Sequence, residues 1–409
     1  MPCHATPPLP GAFRRLACSN LSAQFSEQIA LACTPLAAIL LLGASAADTG
    51  YLQAVQTLPF LFLSLPAGVL ADRASRRDMM VVSEILRAVS LASITFLLLS
   101  NGLTLALLAA LGALGAVGTV AYSVAAPALI PSLVSREQLA GANRWLELAR
   151  SSAFVAGPSL SGAIVGWTGA PAAYVLATSL SILAVLCLRG LPDAERLARR
   201  GRNVFQELRE GAAFVIEHPL LRPILITGMF FNLSWFMVQG IFVAYAVRRL
   251  GMTAAEVGVT FGLYGAGMLA GALATPWLAP RVPFGTMVAI GPAGGLAGAA
   301  MIAATILYPS SVLAGLGFFL FGVGPIVWTI TTTTLRQLVT PGPMLGRISA
   351  VIMTAAYGTR PIGAAIGGMV AACYSVDACL VVAAVGFLLQ FLVIAGSAVA
   401  RLQVLPQPS

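Results

Sequence analysis

The sequence contains no lysine, and only 9% of its 409 residues are charged. A soluble chain of this length would need a large charged shell, and so few charges exclude one. Every one of the 23 basic side chains is an arginine, set against 14 acidic ones. The resulting charge of +9 does not point to nucleic acid, because the arginines stand between apolar runs and form no patch with interleaved aromatics. There is no glycine-rich phosphate loop with its lysine, which excludes ATP-driven transport within this chain. Histidine occurs only as His4 and His218, both outside the apolar runs. The six cysteines show no CxxC or Cys/His spacing, so neither a metal site nor a cofactor is expected, and nothing supports enzymatic chemistry. Cys373 and Cys379 flank the last loop opposite the termini, but they read as small apolar residues of helices, not as a disulfide.

Hydrophobic residues make up 58% of the chain, and the mean hydropathy is +0.91. A helix needs about 20 mostly apolar residues to cross the hydrocarbon core. Such runs fall at 19–42, 50–71, 79–100, 103–126, 144–167 and 171–189, and again at 222–246, 254–277, 284–307, 311–333, 346–370 and 375–399. The expected class is an all-α integral membrane protein of about twelve transmembrane helices. Arg14 and Arg15 precede the first run, which is long and followed at once by another, so it reads as a spanning helix and not a signal peptide. With the N-terminus inside, 18 of the 23 arginines fall on the cytoplasmic side, which places both termini in the cytoplasm.

The longest connection, 190–221, separates a six-helix half (1–189) from a second one (222–409). Within it Phe205, Leu208, Ala212 and Val215 recur at helical spacing, the pattern of an amphipathic helix at the inner membrane surface or of a plain linker. The halves also repeat: Gly68 and Gly271, Arg144 and Arg347, and Pro158 and Pro361 each stand 203 residues apart. Parallel six-helix repeats about an axis normal to the membrane are a transporter plan, with the solute site between them.

After the second run comes Gly68-Val69-Leu70-Ala71-Asp72-Arg73-Ala74-Ser75-Arg76-Arg77. Its glycine permits close helix contact, and its aspartate can accept hydrogen bonds from arginine or from a helix N-terminus. The stretch resembles the loop between helices two and three of the major facilitator superfamily, with Ser75 where the family usually has glycine. That resemblance implies a conformational latch of Gly68, Asp72, Arg73, Arg76 and Arg77. The equivalent stretch of the second half, Gly271-Ala272-Leu273-Ala274-Thr275-Pro276, has lost the aspartate. In the fifth run, Gly157-Pro158-Ser159-Leu160-Ser161-Gly162 is similar to the antiporter motif of the superfamily's exporters, carried by Gly157, Pro158 and Gly162. Leu208-Arg209-Glu210-Gly211 through His218-Pro219, and Leu345-Gly346-Arg347-Ile348-Ser349, resemble the branch containing the bacterial enterobactin exporter and related efflux proteins.

Ionisable groups at membrane depth are costly and mark function by default. Asn20, Gln24 and Glu27 share one face of the first helix. Glu27 is either a proton-coupling carboxylate facing a cavity or the structural partner of an arginine. Arg150 and Arg360 can pair with Glu27, Glu84 or Glu147, or hold an anionic solute group; Glu84–Arg87 and Glu147–Arg150 are three apart and read as structural pairs. Asn232, Trp235 and Gln239 share a face of the seventh helix, and Trp328 and Tyr357 add aromatic surface. The combined expectation is a monomeric proton-coupled exporter in a bacterial inner membrane. Its solute would be a siderophore, a drug-like compound or a secondary metabolite. An importer or facilitator of a small nutrient and a non-transporting receptor are the alternatives.

Overall fold

The structure, a computed structural model, describes residues 10–135, 138–191, 204–341 and 344–404; inside helices, the side chains of residues 65, 68, 69, 71–73, 127, 128, 131, 140, 204, 205, 207 and 208 are not described. Among the described residues the chain forms α1 (Gly11–Leu40), α2 (Ala46–Arg73), α3 (Arg76–Leu99), α4 (Leu105–Leu129), α5 (Leu139–Thr168) and α6 (Ala170–Arg189). A shorter α7 (Val204–Glu217) follows. The second set is α8 (Leu221–Arg248), α9 (Ala254–Leu278), α10 (Phe284–Ala304), α11 (Ser311–Val339), α12 (Leu345–Cys373) and α13 (Val376–Ala395). Several helices outrun their apolar cores. α1 starts at Gly11, two turns before the apolar run, because Pro10 ends the preceding chain and nothing in Gly11–Cys18 breaks a helix.

Eight of these helices are long and apolar enough to cross a membrane on composition alone: α3, α4, α6, α8, α9, α10, α11 and α13. The four other long ones, α1, α2, α5 and α12, pack on one another, α1 along α5 and α2 along α12. Lipid supplies no hydrophobic drive for helices to associate, so close packing and polar contacts must do it. Accordingly α1 buries Ser19, Asn20, Ser22, Ser26, Gln28 and Thr34, and Ser26 Oγ donates to the Ala177 carbonyl of α6 at 2.7 Å. Large apolar side chains face outward instead, among them Phe62, Phe96, Leu186, Leu273 and Leu392. Apolar side chains outside suit lipid as solvent, and the polar groups are kept inside among a mostly apolar core.

Helix starts follow local chemistry. Ser45 and Asp48 form a reciprocal capping box on α2, and Thr253 and Glu256 form its counterpart on α9, so the second helix of each set begins alike. Ser75 caps α3 by accepting the Asp78 N–H at 3.1 Å, a task glycine cannot perform with a side chain. At the other end of α6, Arg15 Nη1 donates to the Gly190 carbonyl at 2.7 Å and Arg77 Nη2 to that of Arg189 at 2.9 Å. Both guanidinium groups meet the carbonyl-rich, negative end of the helix.

The end where α1 begins and α13 ends is called here the near end. At the far end the two sets close on each other. Gly50 of α2 is so tight against α12 that an added Cβ would lie 2.6 Å from the Gly368 Cα. Gly258 of α9 faces α5 in the same manner, with a Cβ 2.9 Å from the Gly162 Cα. Arg248, at the end of α8, donates from Nη2 to the carbonyls of Ala44 (2.6 Å) and Gly43 (3.2 Å) just past α1. Of α7's apolar positions, Val215 is buried with Leu221 and Ile348, and Arg347 Nη1 holds Glu210 at 2.7 Å, so this helix leans on α12. The side chains of Phe205 and Leu208 lie outside the described residues.

Backbone contact at Gly258 leaves no space for a side chain. Gly258→Leu is expected to lower the unfolding temperature in detergent through an overpacking cost of about 1–3 kcal/mol. Gly346→Leu, whose Cβ would meet nothing within 4 Å, should leave it unchanged. Equal thermal scans for the two variants would refute the tight α5–α9 crossing.

Candidate functional site

Between the two sets of helices lies a cavity of about 640 Å³. Its wall reaches Ile224 and Arg336, each three residues from the near-end terminus of its helix, while the glycine contacts and Arg248 seal the far end. The cavity is therefore accessible from the near end.

On the first set, the described residues of the wall include one carboxylate, Glu27. Its side chain retains 22% exposure, and its Oε2 lies 3.6 Å from Arg87 Nη2. Arg87 is 4% exposed and fully engaged: Nη1 meets Glu84 Oε1 at 2.7 Å and the Ala23 carbonyl at 3.3 Å, and Nη2 donates to Thr119 Oγ1 at 2.9 Å. Glu84 is completely buried and also accepts from Ser181 Oγ at 2.9 Å. One guanidinium is thus shared by a buried carboxylate and a cavity-facing one. The i,i+3 pairing of Glu84 with Arg87 was legible in the sequence; the link to Glu27 crosses from α3 to α1 and appears only in the packing.

Arg150 lines the cavity and makes a two-point contact with Glu147, Nε to Oε2 at 3.0 Å and Nη2 to Oε1 at 2.5 Å, with its guanidinium 5.7 Å from the Phe154 ring. Arg360 is held differently. Its Nε donates to Asn232 Oδ1 at 3.0 Å, and Asn232 is fixed in turn by donating to the Gly228 carbonyl at 2.9 Å. Three rings surround the guanidinium carbon, Tyr357 at 3.7 Å, Phe236 at 5.2 Å and Phe60 at 5.6 Å. Such contacts stabilise a cation without neutralising it.

Trp235 is 6% exposed and stacks with Tyr264 at 5.0 Å, with Phe231 parallel to it at 6.4 Å. Gln239 and Trp328 also line the cavity, and the Gln239 Oε1 and Gln390 Oε1 acceptors in the wall have no donor among the described residues. Asn20 and Gln24 do not line it: they lie nearer the near end of α1 than Glu27, and Asn20 is buried. Sequence reasoning passed over Gln28, Gln53 and Gln56, although glutamines in long helices are a readable polar signal.

Gly157 presses on Gln28 of α1, and Ser161 Oγ donates to the Ile29 carbonyl at 2.9 Å. Pro158 and Gly162 face α9 through Gly258, so this segment of α5 is wedged between the cavity helix α1 and the opposite set. Of the latch residues, the side chains of Gly68, Asp72 and Arg73 lie outside those described; Arg76 and Arg77 open α3. His218 stands before α8, where its Nδ1 accepts the Leu220 N–H at 3.2 Å and burial lowers its proton affinity, away from the cavity wall. Cys373 and Cys379 are both free thiols.

Known proteins share this organisation. An uncharacterized MFS-type transporter, y4rN, of Sinorhizobium fredii is 27% identical over 88% of this chain and 89% of its own length. The multidrug efflux pump Tap of Mycolicibacterium fortuitum is 27% identical over 80% of this chain and 81% of its own. The enterobactin exporter EntS of Citrobacter koseri is 27% identical over 59% of this chain and 57% of its own. A bacterial homologue of the iron transporter ferroportin, solved in an inward-facing state, superposes with a TM-score of 0.75 over 94% of this chain and 98% of that one, at 17% identity. Residues 16–368 match the Major Facilitator Superfamily family model. Two sets of six long helices around a cavity lined by charged and aromatic side chains, together with a family match over most of the sequence, make this chain a member of the major facilitator superfamily.

Proposed function

We propose that this transporter exports an organic solute by alternating access, driven by protons, with Glu27 as the coupling carboxylate. The observation that carries the reading is the position of Glu27: the one carboxylate among the described cavity-lining residues, half committed to Arg87 and half open to the cavity. Loss of its charge changes what Arg87 binds, and a ligand acts on a conformational equilibrium only through such a difference. Export is supported by the named activities of the two characterised relatives, an efflux pump and an exporter. The solute is an organic molecule of siderophore, drug or secondary-metabolite size, in keeping with a cavity of about 640 Å³.

The arginine bias of the loops supports a cytoplasmic near end, so the present state faces inward. In this reading the chain works as a monomer in a bacterial inner membrane. The first six helices and the last six move as two units, linked by 190–221, and Gly68, Asp72, Arg73, Arg76 and Arg77 act as the near-end latch. Gly157 keeps α5 close to α1 as the halves rock, while Pro158 and Gly162 seat α5 against α9 when the far end is closed.

Flux in inverted membrane vesicles tests the coupling. Wild type should accumulate a solute, screened among siderophores and lipophilic dyes, only under a pH gradient, and Glu27→Gln should lose that dependence. Gradient-independent movement by wild type would replace the exporter with a facilitator, and absence of any flux would favour a receptor. Glu27→Gln should fold, because Arg87 keeps Glu84. Arg87→Met, in contrast, strands a buried carboxylate and should lose about 3–5 kcal/mol of stability, visible as a lower unfolding temperature.

The far-end seal makes a second expectation. Arg248→Ala removes two hydrogen bonds at an exposed site, each contributing about 0.5–1.5 kcal/mol. Spin labels at Leu41→Cys and Tyr374→Cys, with native cysteines replaced, should then report a larger population of long distances. An unchanged distance distribution would show that Arg248 does not hold the far end closed.

A further inference from the structure

The cavity's charges do not cancel. Among its described lining residues, Glu27 faces Arg87, Arg150, Arg336 and Arg360. Glu27 shares Arg87 with the buried Glu84, and Glu147 answers Arg150, which leaves Arg336 and Arg360 as the surplus. Arg336 and Arg360 have no carboxylate within ion-pair distance among the described residues, and Arg336 Nε has no hydrogen-bond acceptor. A guanidinium in a partly enclosed cavity without an anion keeps its charge, because arginine does not neutralise itself by losing its proton.

Arg360 is also prepared for a ligand. Asn232 fixes its Nε, and the rings of Tyr357, Phe236 and Phe60 confine its plane from α12, α8 and α2. Confinement removes the rotamer entropy that a flexible arginine loses on binding. A fork of donors held in this way matches a carboxylate or a similar planar oxyanion. The rings that hold the cation, with Tyr264 and Phe231 beyond them, offer flat apolar surface in the same wall.

We infer that the cavity selects an anionic aromatic solute, its acid group seated on Arg360 and its ring system against the aromatic wall, with Arg336 adding attraction at the near-end mouth. This deepens, and rests on, the reading of the cavity as the solute site. A cationic solute would find Glu27 as its one carboxylate among the described lining residues, in a wall that also carries four arginines. A divalent metal ion would find one carboxylate and neither histidine nor cysteine among the described lining residues.

The test is equilibrium binding to the purified protein in detergent, which needs neither a gradient nor transport. Three probes of one shape are compared by thermal shift and titration: 2-naphthoate, 2-naphthamide and 2-naphthylmethylammonium. Wild type is expected to bind the carboxylate at least tenfold more tightly than the other two. Arg360→Gln should lose that preference while keeping its affinity for the amide, and Arg360→Lys should recover part of it. Should Arg360→Gln not fold, Arg336→Gln supplies a second reading, a smaller loss for the carboxylate alone. Equal binding of the three probes, preference for the ammonium, or no binding of the carboxylate overturns the inference. Gradient-driven flux of a cationic dye with no carboxylate preference sinks this inference and leaves the exporter standing. Carboxylate preference without gradient-driven flux does the reverse.

Discussion

A guanidinium inside a membrane protein must be answered by an anion or by a polarisable shell, and the interior is arranged around that requirement. Arg87 takes the first solution twice over, with Glu84 behind it and Glu27 before it. Arg150 takes it once, from a neighbour one turn back on its own helix. Arg360 takes the second, three rings and an amide. The series runs from full compensation in the first helix set to none in the second. Polar and charged groups at this depth also lower the apolarity of α1, α5 and α12. Their polarity is turned inward, where it lines the cavity or meets a partner helix.

The second constraint is steric. A transporter that opens at alternate ends needs interfaces that close without interlocking side chains. At the far end this is met by backbone against backbone, Gly50 with Gly368 and Gly162 with Gly258, and by one arginine reaching across to two carbonyls. Such contacts are short-ranged. They provide close packing when seated and little resistance once parted, since no side chain must be withdrawn from a pocket. The internal repeat acquires a physical meaning here, because α2 meets α12 while α9 meets α5, the same pair of positions taken from opposite sets.

Much of the fold could be read from composition, because lipid admits few solutions: apolar runs of about 20 residues must be helices. Helix ends were less legible. Gly11–Cys18 of α1 continues past the apolar run, and only the geometry shows that a helix does not stop where the hydrocarbon does. At the site, periodicity placed Asn20, Gln24 and Glu27 on one face, but a face 30 residues long passes several environments, and Glu27 alone of the three reaches the cavity. The Glu27–Arg87 contact was hidden because it joins helices whose register no sequence spacing reports. Trp235 was readable as cavity-facing by its position beside Asn232, yet its ring is largely spent on Tyr264 and Phe321, a packing role that only the partner helices reveal.

Charge in the cavity bears on how a proton and a solute are coupled. A carboxylate seated on Arg360 and an ionised Glu27 share one poorly screened space and repel each other, so local electrostatics alone gives no competition between proton and anion. In the proposed antiport, competition comes from the conformational step instead, with Glu27 on α1 and Arg360 on α12 belonging to opposite sets of helices. The membrane potential then works in favour of exchange. An anion leaving the negative interior and a proton entering it both move with the field, each gaining about 2.3 kcal/mol per 100 mV. An exporter of anions therefore has a lighter energetic demand than an exporter of cations, which must drive its solute against the same field. A cavity with one carboxylate and surplus arginine is consistent with that lighter demand.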